Sequence, residues 1–272
     1  MEFKEKQYDG IYEISAVEFQ NENQIFRGIL YFPPESFQKP YSVIIYFHGF
    51  PQINSLEDFV EQYKFLLDLG YAFLVFNFRG YFFNPGNVSI SSQVADSLKV
   101  IEFVHLMSKE KIFNINDINI IGHDFGAYIS LILSSKIKII NRLLLLCPII
   151  DLERHVNHTD FAKSLQYINR FLPGYIKGIE DVSSFIEMTK NELMSQDYQI
   201  KKRLTMLSYK KLRVIIGDKD KITPINEIKD NVQINIKNLD LVIIKSMPHD
   251  FFHEDYTEKV NEEIKNFFLK KY

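Results

Sequence analysis

The stretch Ile118-Asn119-Ile120-Ile121-Gly122-His123-Asp124-Phe125-Gly126-Ala127-Tyr128-Ile129-Ser130-Leu131-Ile132-Leu133 decides how this chain folds. A short apolar run of strand character enters Gly122-His123-Asp124-Phe125-Gly126, and an apolar run of helical length leaves it. Two small residues flanking a polar one permit a tight strand-to-helix turn with close approach of backbone or ligand. At the crest of such a turn Asp124 has two uses. It can cap the following helix by accepting from its free amides, or it can present a carboxylate to a reacting molecule.

Working outward, strands and helices alternate. Residues 17–20 and 25–31 read as an antiparallel pair joined by Asn21-Glu22-Asn23, and Pro33-Pro34 ends the second. Val43-Ile44-Ile45-Tyr46-Phe47 is an apolar strand running into His48-Gly49-Phe50-Pro51. Residues 56–69 read as a helix stopped by Gly70, 71–78 as a buried strand, and 91–108 as a helix with Val94, Leu98, Ile101, Val104 and Leu106 on its apolar face. The strand at 118–121 and the helix at 125–135 follow, then strands at 143–147, 212–216 and 241–244, and a closing helix at 255–269. Near-continuous apolar strands separated by helices define an α/β fold with a mostly parallel sheet covered on both faces. Residues 151–207 break the rhythm: they are helical around Pro173-Gly174 and carry no strand pattern. The expected organisation is therefore a core in two parts, 1–150 and 208–272, with a small helical cap inserted at 151–207.

Composition narrows the function classes. The 272 residues are 46% hydrophobic and 25% charged, with a net charge of −3, an ordinary globular profile. Cys147 is the single cysteine, which excludes an internal disulfide framework. Residues 1–6 are rich in charge and no apolar run reaches the ~20 residues of a membrane span, so a cytoplasmic protein is expected. There is no basic aromatic track for nucleic acid and no phosphate-cradling glycine loop. His155 and His158 are close in sequence but lack a full metal-ligand pattern. No cofactor and no metal are expected, and oligomeric state is not legible.

The ordered motifs resemble those of the α/β-hydrolase superfamily over roughly residues 17–269. His48-Gly49-Phe50 resembles the oxyanion loop, Asn77-Phe78-Arg79-Gly80 a strand-end turn, and Gly122-His123-Asp124-Phe125-Gly126 the nucleophile elbow. Gly217-Asp218-Lys219-Asp220 with Pro224 resembles the acid-bearing turn, and Pro248-His249-Asp250-Phe251-Phe252 the histidine loop, in the superfamily's order. The resemblance implies catalytic positions at Asp124, Asp220 and His249, with oxyanion donors in the backbone amides of Phe50 and Phe125. Asp218 and Asp151 remain competing acids.

Aspartate in place of the usual elbow serine alters the chemistry. Attack on an acyl carbon would give an anhydride, whereas attack on an electrophilic sp3 carbon gives an alkyl-enzyme ester that water can hydrolyse. The elbow and His48-Gly49-Phe50-Pro51 resemble epoxide hydrolases, which implies a small apolar epoxide as substrate and cap tyrosines as acids. Tyr167, Tyr175 and Tyr198 are the tyrosines available in the insert. A dehalogenase ranks lower because the chain has no Trp to donate to a halide. Elsewhere the chain resembles small-capped serine esterases and peptidase-like hydrolases. Two alternatives therefore stand: a noncatalytic homologue that binds a ligand or protein, and an esterase or peptidase-like hydrolase with an atypical nucleophile such as Ser130 or Ser134.

Overall fold

The computed structural model describes residues 7–82, 84–207, 209, 211–236, 239–252 and 254–269. The charged segment 1–6 lies outside them. Nine strands form one sheet: β1 (Gln7–Asp9), β2 (Tyr12–Asn21), β3 (Gln24–Tyr31), β4 (Tyr41–Phe47), β5 (Tyr71–Phe76), β6 (Phe113–His123), β7 (Ile140–Leu146), β8 (Lys211–Gly217) and β9 (Asp240–Ile244). Their spatial order is β1-β2-β3-β5-β4-β6-β7-β8-β9. The first three strands and the β3–β5 contact are antiparallel, and every pairing from β5 to β9 is parallel.

The helices are α1 (Leu56–Tyr63), α2 (Phe65–Asp68), α3 (Ile90–Lys109), α4 (Phe125–Lys136), α5 (Leu152–Val156), α6 (Thr159–Phe171), α7 (Val182–Leu193), α8 (Ile200–Arg203), α9 (Ile225–Glu227) and α10 (Glu254–Phe268). Alternation along the buried strands divides the core into two layers. Val43, Ile45 and Phe47 of β4 pack with Val100, Val104 and Ile129 of α3 and α4. Ile44 and Tyr46 pack on the other side with Phe59, Tyr63, Leu66 and Ile264 of α1, α2 and α10. Such two-sided cover is what all-apolar strands such as β5, YAFLVF, require.

Most boundaries lie close to the sequence expectations, although β2 and β6 each begin five residues earlier than expected, and three further differences stand. The helix expected at 56–69 is two, α1 and α2, separated at Lys64, whose carbonyl accepts the Leu67 N–H in a tightened i,i+3 turn. The short, largely exposed strand β1 shows no alternation and was not foreseen. Nor was the helical segment at 225–233, although Ile225, Ile228, Val232 and Ile236 recur at helical spacing.

Helices α5 to α8 lie between β7 and β8 in the chain; α5 to α7 lie over the carboxyl ends of the strands, while α8 packs along α4, where Arg203 Nε donates to Ser135 Oγ at 2.8 Å. Phe161 of α6 and Phe185 of α7 meet Phe50 with ring centroids 5.9 and 5.4 Å away. Glu192 at the end of α7 accepts the Ile90 and Ser91 N–H groups at 2.8 and 3.0 Å, placing a carboxylate on the positive N-terminus of α3. The carboxyl edge of an open parallel sheet is where α/β folds bind ligands. Among the described residues, no helix is long and apolar enough to cross a membrane.

Candidate active site

The ends of four strands, β4, β6, β8 and β9, converge under α5 and α6. The loop after β4 brings residues 48–51, β6 brings Asp124, the turn after β8 brings Asp220, and the loop after β9 brings His249. Together, Gly49, Phe50, Asp124 and His249 line a cavity of about 1060 Å³ whose apolar surface includes Phe161, Ile222 and Phe252. That volume is at the upper end of pockets that hold drug-sized ligands, roughly 300–1,000 Å³.

The elbow is under backbone strain. Asp124 has φ 52° and ψ −116°, a region that costs of order 1–3 kcal/mol for a non-glycine residue. Tight packing holds it there. A Cβ on Gly126 would meet the Phe47 and His48 carbonyl oxygens at 2.1 and 2.4 Å, and one on Gly122 would meet Ser130 Oγ at 2.5 Å. Both positions therefore need glycine for close approach. The Asp124 N–H donates to the Leu146 carbonyl at 3.0 Å, while its own carbonyl accepts from Ala127 and Ile149 at 3.2 and 3.3 Å.

Asp124 does not cap α4: its side chain makes no cap hydrogen bond. Instead Oδ2 accepts the Phe50 N–H at 2.8 Å and Oδ1 faces His249 Nε2 at 3.1 Å. His249 Nδ1 lies 2.9 Å from Asp220 Oδ2, and Asp220 Oδ1 accepts the Ile222 and Thr223 N–H groups at 2.9 and 2.8 Å. Both ring nitrogens meet carboxylate oxygens, so both donate and the ring is an imidazolium. Burial opposes that charge, but the two flanking carboxylates outweigh burial and raise His249 to about 10. Burial would likewise raise Asp124, yet the His249 hydrogen bond and charge outweigh it and hold the carboxyl below its ordinary range.

The competing acids are placed elsewhere. Asp218 Oδ1 accepts the Ser246 N–H at 2.6 Å, and Asp151 caps α5 and pairs with Lys201 at 2.6 Å. Of the expected oxyanion donors, the Phe50 N–H is on Asp124 itself. Phe125 is the first residue of α4, where the opening N–H groups of a helix have no intrahelical acceptor. His48 secures the loop: its Nδ1 donates to the Gly49 carbonyl at 2.9 Å and its Nε2 accepts the Phe78 N–H at 3.3 Å. Burial pushes His48 down to about 4, keeping it neutral. The Arg79 strand-end turn is pinned by Asp96, which takes the Arg79 N–H, Nε and Nη2 at 2.9, 2.8 and 2.6 Å.

The expected cap tyrosines do not reach the cavity. Tyr167 is 62% exposed on α6, where its ring packs on Phe171. Tyr175 Oη donates to the Ile53 carbonyl at 3.4 Å, and Tyr198 accepts the Tyr128 hydroxyl through its carbonyl. None of the three lines the cavity with Asp124. Helical spacing could not have shown this, because the turn geometry of the insert sets which face points inward. The cavity wall is instead furnished by Arg154, His155, His158, Asp160 and Ser164 of the α5–α6 segment, which sequence reading left without a role. The atypical serines are also out of reach: Ser130 is fully buried and donates to the Gly126 carbonyl at 2.7 Å, and Ser134 is fully buried.

A metal could find three donors here, since ligand atoms of Cys147, Asp220 and His249 lie within 4.8 Å of one another. The fit is poor. Burial, reinforced by Asp220 and Asp124, raises the Cys147 thiol well above its ordinary range, which keeps it protonated, and His249 is already engaged at both nitrogens.

Comparison with known proteins agrees with this architecture. A family profile described as the alpha/beta hydrolase fold matches residues 42–179, and the chain belongs to that family. Among solved structures it is similar to Est1E from Butyrivibrio proteoclasticus, at 18% identity and a TM-score of 0.66, covering 93% of this chain and 97% of that one. It is also similar to the Pyrococcus furiosus esterase Pf2001, at 20% identity and a TM-score of 0.68, covering 96% and 92%. A third is an alpha-beta serine hydrolase homologue from Coxiella burnetii, at 18% identity and a TM-score of 0.58, covering 94% and 95%. These likenesses show the fold. No curated protein matches the sequence.

Proposed function

We propose that the protein is a hydrolase in which Asp124 is the nucleophile toward an sp3 carbon of a small apolar electrophile, with an epoxide as the favoured substrate. The observation that carries this reading is the division of labour within the Asp124 carboxylate. Oδ2 is held by the Phe50 N–H, whereas among the described residues Oδ1 has the His249 Nε2–H as its one hydrogen-bond partner and lies on the cavity wall.

In the first step Oδ1 forms a bond to a ring carbon, and the ring C–O bond breaks with its electron pair on the departing oxygen. The product is an ester on Asp124 whose carbonyl oxygen is Oδ2. Esterification removes the negative charge of Asp124, so His249 loses one of its two carboxylate partners and can release its proton. In the second step neutral His249 takes a proton from water, the water oxygen adds to the Asp124 carbonyl carbon, and the charge developing on Oδ2 meets the Phe50 N–H. Collapse restores the carboxylate and releases the alcohol. Asp220 holds the ring and stabilises its positive form.

A binding-only role is the second reading. It is favoured by the fact that the Asp124–His249–Asp220 array satisfies its hydrogen bonds internally and with the Phe50 N–H. Hydrolysis of an epoxide, haloalkane and acyl-ester panel by the wild type and Asp124→Ala separates the two. Epoxide turnover abolished by the substitution supports the nucleophile; equal turnover by both proteins, or none across the panel, overturns it.

A further inference from the structure

Opening an epoxide leaves an alkoxide that needs a proton, and no tyrosine of the insert lines the cavity to give one. In-line displacement places the departing oxygen on the side of the carbon away from Asp124 Oδ1. The donor is therefore sought among the polar groups that line the cavity away from the strand ends carrying Asp124 and His249. The wall from α5 and α6 supplies five of them, whereas Gln52 Nε2 and Gln62 Nε2 are engaged by the Asn54 carbonyl and the Tyr63 hydroxyl at 2.9 and 3.3 Å. His123 is excluded as a strand-end residue. It precedes Asp124 on β6 and packs against Phe251 and Phe252, with ring centroids 5.3 and 5.6 Å away.

The α5–α6 wall offers five polar side chains, of which three are committed and a fourth is turned to solvent. Arg154 is held by the Ile222 carbonyl and by Glu227 at 2.7 Å. His158 accepts the Asp160 N–H on Nδ1 at 3.3 Å and its side chain is 60% exposed, so its remaining Nε2–H faces solvent, while Asp160 pairs with Lys163 at 3.3 Å and Ser164 gives its hydroxyl to the Phe161 carbonyl at 2.7 Å. His155 is different. Its ring stands edge-on to Phe161, with centroids 4.8 Å apart, and among the described residues its ring nitrogens have no hydrogen-bond partner. It lines the cavity and feels the charges of both Asp124 and His249.

We infer that His155 is the proton donor to the departing oxygen, taking the place that the sequence had assigned to cap tyrosines. This inference rests on the proposed Asp124 mechanism. As Oδ1 bonds to carbon, the ring oxygen takes the His155 N–H proton and becomes a hydroxyl, and His155 regains a proton from cavity solvent. Burial lowers His155, so it is neutral near pH 7 and acts as a weak acid toward a strong base. A neutral imidazole can serve as an electrophile in this way, polarising an oxygen as negative charge builds on it. The proton balance closes: His155 gives one proton to the alkoxide, and the proton that His249 releases to the cavity solvent when Asp124 becomes an ester replaces it.

The test uses His249→Gln, in which ester hydrolysis is blocked and the alkyl-enzyme accumulates as a mass increase on Asp124. With styrene oxide, adding His155→Phe should slow adduct formation by about 100-fold, the lower end of the effect of a positioned acid. Phenylalanine retains the ring packing on Phe161 but has no proton to give. With a primary alkyl bromide, whose leaving group needs no proton, the two proteins should form adduct at rates within about threefold, because that leaving group makes no call on general acid catalysis. Equal rates with styrene oxide, or equal slowing with both reagents, would overturn the donor role. Absence of any adduct in His249→Gln with either reagent would instead refute the Asp124 nucleophile, and the His155 inference with it.

Discussion

Asp124→Asn is the substitution from which most can be learned. It keeps the shape of the side chain and removes one of the two charges that hold His249 as an imidazolium. The Nε2–Oδ1 separation is 3.1 Å. Opposite charges centred ~4 Å apart at an effective dielectric of ~20 attract by ~4 kcal/mol, which corresponds to roughly three pKa units. Neighbouring charges in proteins shift a pKa by about 1–3 units, so a fall of about 2–3 is expected. His249 should move from about 10 in the wild type toward neutrality in the variant. Titration of the ring followed by nitrogen-15 NMR reads this directly. Stability should follow. The wild-type ring has a folded pKa above its unfolded value of ~6.5, so its contribution is complete below ~6.5 and is lost as pH rises through about 10. In Asp124→Asn the unfolding free energy should be flatter across that alkaline window. The variant also imitates the charge state of the ester intermediate, so its His249 pKa reports whether the ring becomes a base after alkylation. A ring that titrates within about half a unit of the wild type in Asp124→Asn would refute the reasoning, because Asp124 would then not be holding the charge.

Other expectations follow from the packing around the elbow and cap. Gly126→Ala forces a Cβ to within 2.1 Å of the Phe47 carbonyl, so the melting temperature should fall and the Asp124-dependent turnover should be lost together. Asp220→Asn leaves His249 with one carboxylate, and epoxide turnover should drop by roughly 10²–10⁴-fold, as expected of a group that supports general base catalysis. Glu192→Gln removes the anion that accepts two N–H groups at the start of α3, and chemical denaturation should show a loss of about 0.5–2 kcal/mol. Asp96→Ala strips a buried carboxylate from Arg79, leaving an uncompensated charge; denaturant unfolding should register a loss of about 3–5 kcal/mol.

The sequence was most informative where local chemistry and long-range order coincided. The apolar runs of β4, β5 and β7 announced a buried parallel sheet, and the order of the elbow, the acidic turn and the histidine loop placed Asp124, Asp220 and His249 in one array. The choice of Asp220 over Asp218 depended on the Gly217 and Pro224 spacing, and the structure shows why both are acids in the same turn: Asp220 reaches His249, while Asp218 closes the turn by taking the Ser246 N–H. The cap was less legible. Tyr167, Tyr175 and Tyr198 have the right chemistry, but whether Tyr167 faces the cavity depends on how α6 is rotated about its axis, and Tyr175 and Tyr198 lie outside the α-helices, where no periodicity sets their direction. The rotation of α6 is set by contacts such as Phe161 on Phe50, between residues far apart in the chain. His155 carried no signal because a single histidine on a five-residue helix forms no pattern. The strain at Asp124 was similarly implied by its glycine neighbours, yet the use of Oδ2 to hold the Phe50 N–H emerges only from the folded geometry.

The central claim is that the Asp124 carboxylate is consumed and rebuilt in each cycle. Turnover of styrene oxide by the wild type in oxygen-18 water, followed by mass analysis of the peptide that contains Asp124, tests it most directly. Water adding to the Asp124 carbonyl carbon leaves a solvent oxygen in the carboxylate, so the peptide should gain oxygen-18 in proportion to turnover. Turnover that leaves the Asp124 carboxylate unlabelled would contradict the account, because the water would then have attacked the substrate itself.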